Sequence, residues 1–142
     1  MSFFIQIYMT MNKQDKLTKD FNYREFFSGD VNMWLKSIEP PAKYLNKIIL
    51  MAEELQIVRD YIGSPIHITS AYRTPAWNNY CGGVPCSYHT KCEAVDIRVN
   101  GMPPYDLAIY VAKLTDFKGF GINVKKNFVH CDMRSRLMVF KY

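Results

Sequence analysis

Apolar residues recur at three- and four-residue steps through one long stretch of the chain and at every second position through several short ones. After Pro40 and Pro41, the residues Leu45, Ile48, Ile49, Ala52, Leu55, Val58 and Ile62 fall on one stripe, which leaves Lys47, Glu53, Glu54 and Asp60 mostly outward. That spacing predicts an amphipathic helix, and Gly63 supplies the stop expected just past its end. Beyond Ser64 and Pro65 the period becomes two. IHITSAYR sets Ile66 and Ile68 inward against His67 and Thr69, and EAVDIRV sets Val95, Ile97 and Val99 against Ala94, Asp96 and Arg98. Between them TPAWNNYCGGVPCS reads as a loop broken by Gly82, Gly83 and Pro85.

After the NGMPP turn, YDLAIYVAKL predicts a second helix with Leu107, Tyr110, Val111 and Leu114 on one side. KGFGINVKKN reads as a glycine-punctuated hairpin leading into NFVHCDMR. In that strand Val129, Cys131 and Met133 face one way, and Phe128, His130, Asp132 and Arg134 the other. LMVFKY can add an edge strand. Nearer the start, FNYREFF reads as a short helical turn before a Ser-Gly-Asp break, and VNMWLKSI as another short helix. Helices come early and strands late, with one helix between strands. The expected fold is a single α+β domain with a mostly antiparallel sheet and helices packed on one side. Residues 1–20 read as an N-terminal extension and residues 21–142 as the domain.

Composition narrows this picture little. A chain of 142 residues, 49% apolar and 22% charged, buries roughly 70% of its unfolded surface as one domain and is not disordered. The formal charge of +5 is compatible with an anionic polymer such as cell wall. No Lys/Arg run is dense enough for a nucleic-acid arm, and Lys125-Lys126 reads as a solvated turn. No apolar window approaches a bilayer span, and MSFFIQIYMTM lacks the basic region and cleavage site of a signal peptide. The expectation is a monomer made in the cytoplasm, without a nucleic-acid or membrane partner. Its four cysteines, Cys81, Cys86, Cys92 and Cys131, would then be free thiols.

The chemistry concentrates in CSYHTKCEAVDI. Asp96 lies on the polar face of one strand, His130 on that of another, and His89 in the loop before the first. Were the strands neighbours, these three would converge. A His, Asp, His set leaves one tetrahedral position open, the arrangement of a catalytic zinc that activates water for amide or ester hydrolysis. Asp96 paired with Arg98 and His89 as a plain loop residue is the simpler alternative. A second metal reading is a closed thiolate knuckle, Cys86-x-x-His89-x-x-Cys92, completed by Cys131 or Cys81. A zinc deaminase is excluded, because no His-x-Glu precedes a Pro-Cys-x-x-Cys.

SAYRTPAWNNYCGGVPCSYHTKCEAVDI followed by GFGINVKKNFVHCDMR resembles the zinc D-alanyl-D-alanine carboxypeptidase family, peptidoglycan-cleaving metallopeptidases with many short phage and bacterial members. Ser87, His89, Ala94 and Asp96 match its Ser-x-His-x-x-Gly-x-Ala-x-Asp motif, and His130 falls in Phe-Val-His-x-Asp. Ser70, Tyr72 and Arg73 match an upstream Ser-x-Tyr-Arg, FNYREFF looks like the usual opening, and the likeness runs over about residues 21–134. It implies a hedgehog/D-Ala-D-Ala-peptidase-like fold, Zn2+ held by His89, Asp96 and His130, and hydrolysis of peptidoglycan stem peptides by a carboxypeptidase or endopeptidase. In that setting Arg73 stabilises the oxyanion or holds a substrate carboxylate, and Ser87 binds substrate or caps a turn. Tyr72, Trp77 and Tyr80 wall the groove or belong to the core. Phage lysis or a part of the virion would reconcile a wall substrate with a chain lacking a signal. A catalytically impaired wall-binding or virion-associated module of the same fold is the alternative.

Two positions depart from the family pattern. Its glycine is Cys92, strained if φ is positive. The carboxylate general base of better-studied relatives, three positions before the second histidine, is Asn127. Asp132 is the replacement base, or else an orienting partner of a histidine or of Arg134; failing it, Glu93 would take the proton.

Overall fold

In the computed structural model, residue 6 and residues 11–12, 15–27 and 38–142 are described. The Ser-Gly-Asp break at residues 28–30 and, except for Ile38, the helix expected over VNMWLKSI lie outside them.

The proline pair leads through a 3-10 turn, Ala42–Tyr44, into helix α1, Leu45–Ile62. Its end is set by Gly63 at φ 68°, whose N–H donates to the Arg59 carbonyl. This left-handed cap comes readily only to glycine. Leu45, Ile48, Met51, Ala52, Leu55 and Val58 are buried along one stripe, with Ile49 and Ile62 half-buried at its margins. Glu54 departs from expectation: it turns inward, and its carboxylate accepts from the Asp116 N–H at 3.3 Å. Helical periodicity places it at the edge of the stripe, and only the later chain shows that a backbone donor meets it there.

Five strands form one sheet in the order β1 (His67–Ser70), β2 (Ala94–Arg98), β4 (Phe128–Asp132), β3 (Gly119–Asn123), β5 (Met138–Lys141). All neighbours are antiparallel except β3 and β5, which run parallel. Helix α3, Pro104–Leu114, packs beside α1. On the face turned to these helices, Val95, Ile97, Phe120, Ile122, Val129 and Cys131 are buried together with Phe21, Tyr23, Phe26 and Phe27 from the 3-10 turn Tyr23–Phe26 and its flanks. Each such side chain, fully buried, contributes about 1.5–3 kcal/mol.

The other face is polar, and it is buried too. Asp96, His130 and Asp132 are all inaccessible or nearly so. Their cover comes from the segment between β1 and β2 and from the chain's tail. That segment, expected as a loop, contains helix α2, Pro75–Tyr80. The Thr74 hydroxyl caps it by accepting from the Trp77 N–H at 3.0 Å, and Pro75 opens its first turn. Both are ordinary helix-start signals, overshadowed in the sequence by the glycines that follow. No helix among the described residues is long and apolar enough to cross a membrane.

Burial raises the pKa of Glu54. A carboxyl whose pKa is higher folded than unfolded favours its protonated form in the fold, so its contribution to stability is lost as pH rises through that range. Glu54→Gln, which keeps an acceptor for Asp116 without the charge, should melt at a higher temperature than the parent at pH 7. The two should converge below about pH 4, where the unfolded carboxyl is also neutral. A lower melting temperature for the variant at pH 7 would contradict this.

Candidate metal centre

Asp96 and His130 sit in mid-strand on β2 and β4 and are direct cross-strand partners. Alternation along each strand turns both away from the core. His89 is delivered by a 3-10 turn, Tyr88–Lys91, whose N-cap is Ser87: its hydroxyl accepts from the His89 N–H at 3.2 Å. Cys92 ends that turn in the left-handed region, φ 54° and ψ 41°. For a residue with a side chain this costs about 1–2 kcal/mol, against which stands the burial of its thiol in the main core.

The three side chains meet. His89 Nε2 lies 3.1 Å from His130 Nδ1, His130 Nδ1 lies 3.0 Å from Asp96 Oδ1, and Asp96 Oδ1 lies 3.2 Å from His89 Nε2. The outer nitrogens decide what these atoms are. His89 Nδ1 stands 2.7 Å from the Ala71 carbonyl and His130 Nε2 stands 2.8 Å from Asp132 Oδ2. Both partners accept, so both outer nitrogens carry protons and the neutral rings aim bare lone pairs at Asp96 Oδ1. Three acceptors facing one another need positive charge between them. Tetrahedral zinc at about 2.0–2.1 Å from nitrogen and oxygen ligands separates neighbouring donors by roughly 3.3–3.4 Å, close to the spacing here. His89, Asp96 and His130 thus fit a divalent ion.

The electrostatics agree. Burial lowers the His89 pKa against the opposing pull of Asp96, which keeps the ring neutral, as a ligand must be. Burial would raise the pKa of Asp96, but the two histidines outweigh it and hold the carboxyl well below its usual range. For His130, burial is outweighed by its carboxylate neighbours Asp132 and Asp96, and the pKa rises. A metal competes with that proton for the same place.

A second ring of residues holds the first. Arg134 clamps Asp132, donating from Nε to Oδ1 at 2.7 Å and from Nη2 to Oδ2 at 2.6 Å. Its guanidinium lies between the rings of Tyr88 and Phe140. Arg73 donates from Nη2 to Asp96 Oδ2 at 3.2 Å and from Nε to the Ser70 hydroxyl at 3.0 Å. The glycines of GFGIN make room for this. Gly119 pairs with Asp132 and Gly121 with His130; a Cβ on Gly119 would strike the Asp132 carboxylate and Arg134, and one on Gly121 the rings of Phe140 and Tyr142.

Two cavities open over the centre. One, about 660 Å³, is bounded by Asp96, Arg73, Arg98, Trp77 and Lys126 among others. The second, about 580 Å³, is bounded by His130, Val84, Tyr88, Met138 and Phe140 among others. Gly82, Gly83 and Tyr142 border both. Trp77 and Tyr80, stacked at 5.1 Å, wall the first.

Several expected residues stand elsewhere. Tyr72 borders neither cavity and packs against the main core, while its neighbour Arg73 turns into the site. Ser87 borders the second cavity, but its hydroxyl is engaged in capping. Asp132 is fully buried behind His130, with both oxygens taken up by His130 and Arg134. That is the place of an orienting carboxylate. Glu93 is ion-paired with Lys47 of α1, on the helix side of the sheet. Asn127 is an exposed turn residue at φ 54°, a conformation asparagine tolerates. The thiolate knuckle does not assemble: Cys86 is exposed, Cys92 lies in the core, and the metal-competent group found among the described residues contains no sulfur. One contributor was missed. Tyr142 stacks on His130 at 4.9 Å and 14°, and the paired glycines on β3 were the available sign that an aromatic would lie there.

Two outcomes follow from these placements. A thiol reagent should modify Cys81 and Cys86 rapidly in the native protein and reach Cys92 and Cys131 only on unfolding; zinc protection of Cys86 would revive the knuckle. Gly119→Ala, by displacing Asp132, should weaken metal affinity about 10–100-fold in a chelator competition, and an unchanged affinity would show that Asp132 does not orient His130.

The model of the family described as Peptidase M15 matches residues 19–132, a span that contains His89, Asp96, His130 and Asp132. No curated protein matches the chain. On the strength of that match over most of its length, the chain belongs to the peptidase M15 family.

Proposed function

We propose that this protein is a zinc-dependent peptidase that hydrolyses amide bonds in the peptide stems of peptidoglycan. The observation that carries the reading is the convergence of His89 Nε2, Asp96 Oδ1 and His130 Nδ1, with their protons fixed outward, at the meeting of two cavities. Zinc held by those three atoms would supply a Lewis acid with one open position, polarising the scissile carbonyl and acidifying water. A donor set of two imidazoles and a carboxylate suits zinc.

The chain's own residues do the rest. Ala71 and Asp132 keep the two inner lone pairs aimed forward. Arg73, anchored to Asp96 and Ser70, sets a permanent, forked cation in the first cavity, where negative charge develops on the carbonyl oxygen of the substrate. Tyr142 covers one face of His130 and borders both cavities. The peptidoglycan assignment is supported by family membership and by a net charge of +5, which suits an anionic wall polymer. Action on the wall during phage lysis, or as part of a virion, belongs to the same proposal.

One observation favours a second reading, a wall-binding module that retains the fold. Among the described residues, no Asp or Glu side chain other than Asp96 borders either cavity, so none of them stands free there to take a proton from water. Turnover separates the two. Mass spectrometry of purified cell wall should show released peptides that disappear with chelator and return with zinc. His89→Ala should lose both bound zinc and release, and Arg73→Ala should slow release about 10²–10³-fold while still binding zinc. Sedimentation with the wall without any released peptide would select the binding module.

A further inference from the structure

Tyr142 continues the line of β5 past Lys141, and its N–H donates to the Ile122 carbonyl of β3 at 3.0 Å. The ring lies flat on His130, with 4.9 Å between centroids and 14° between planes, and Phe128 meets it edge-on at 5.5 Å and 81°. Gly121 makes room for this seat, because a Cβ there would strike the Tyr142 side chain. A ring needed only to cover the imidazole could be phenylalanine, as Phe128 and Phe140 are. Tyrosine adds a hydroxyl, and the surroundings of that hydroxyl bear on its use.

The phenol faces Arg73. Burial raises its pKa, and a side-chain hydrogen bond with Arg73 pulls the other way. A guanidinium only donates, so the phenol oxygen accepts from Arg73 and keeps its own proton for another acceptor. At neutral pH that proton is in place, since even an unperturbed phenol has a pKa of about 10. The nearby carboxylate, Asp96, is already engaged, through Oδ1 with the two histidines and through Oδ2 with Arg73. Tyr142 borders both cavities and is 43% exposed, so its O–H is offered where they meet.

Arg73 has committed Nε to Ser70 and Nη2 to Asp96. A carbonyl oxygen that gains charge during attack is best held by more than one donor, each fixed beforehand. The ring of Tyr142 is fixed by His130 and Phe128, and its oxygen by Arg73.

We propose that Tyr142 is a catalytic residue: its phenol, held by Arg73, donates a second hydrogen bond to the oxygen that becomes negative when the scissile amide is attacked. The phenol keeps its proton throughout. This rests on the peptidase reading above and adds a residue to that site.

The test compares the zinc-loaded full chain with Tyr142→Phe, which keeps the ring and its stacking but lacks the hydroxyl. Three quantities are measured: zinc affinity by chelator competition, kcat and KM on a synthetic stem peptide, and calorimetric affinity for that peptide with its scissile amide replaced by a tetrahedral phosphinate. Tyr142→Phe should bind zinc as the parent does, with KM nearly unchanged and kcat lowered about 10²-fold. Phosphinate binding should weaken by a similar factor, as expected of a contact made only in the transition state. In an Arg73→Ala background the same change should cost much less, because the phenol has lost what orients it. A kcat and a phosphinate affinity equal to the parent's would reduce Tyr142 to a cover for His130 and overturn the proposal. A raised KM with kcat intact would make it a wall of the substrate groove, and weakened zinc binding a structural support; either would overturn the proposal. All three of those results leave the peptidase reading standing. A parent protein that cuts neither stem peptides nor purified wall would overturn that reading, and this role with it.

Discussion

Everything near the site depends on one electrostatic constraint: three buried acceptors, His89 Nε2, Asp96 Oδ1 and His130 Nδ1, are pressed within 3.0–3.2 Å of one another. Left alone, such a set is costly, because buried polar groups without donors lose their hydration and gain nothing in return. Against the burial that lowers it, the His130 pKa is raised by the hydrogen bonds and charge of Asp132 and Asp96, and a proton on the inner nitrogen relieves the crowding in part. A divalent cation relieves it for all three. The surrounding residues make sense as means of enforcing this crowding. The Ala71 carbonyl and Asp132 hold the protons on the outer nitrogens, Arg134 and Arg73 neutralise the two carboxylates from behind, and the glycines of β3 leave space for that second ring.

The fold supplies rigidity where this constraint needs it. Asp96 and His130 are fixed relative to each other by the β2–β4 ladder, whose opposite face is locked into the core by Val95, Ile97, Val129 and Cys131. Only His89 comes from outside the sheet, and it is tied down by the Ser87 cap, by the Arg73 N–H donating to its carbonyl at 3.2 Å, and by the left-handed Cys92. Helices α1 and α3 never touch the chemistry. Their contribution is to hold one face of the sheet still while the other is given over to polar groups.

Much of this was legible in the chain. The stripe of α1 and its Gly63 stop, the alternation of β2 and β4, and hence the shared face of Asp96 and His130, are local patterns that survive in three dimensions. What was not legible depends on partners far along the chain. Asp132 was visibly on the face of His130, but only the contact at Nε2 shows that it stands behind the ring. Counting by twos from Ile66 puts Tyr72 on the core side and Arg73 on the other, as found, although the register shifts between Ile68 and Ser70. It was the likeness to Ser-x-Tyr-Arg that drew Tyr72 toward the groove. Tyr142 reaches His130 because β5 pairs in parallel with β3, a connection no local period encodes. Glu54 turned inward for a backbone donor sixty-two positions away.

The most direct test of the central claim is X-ray absorption spectroscopy of the purified protein loaded with zinc. One zinc per chain is expected, in a shell of nitrogen and oxygen alone at about 2.0–2.1 Å, with the multiple scattering of two imidazoles. A sulfur contribution at about 2.3 Å, or no stoichiometric zinc at all, would contradict it.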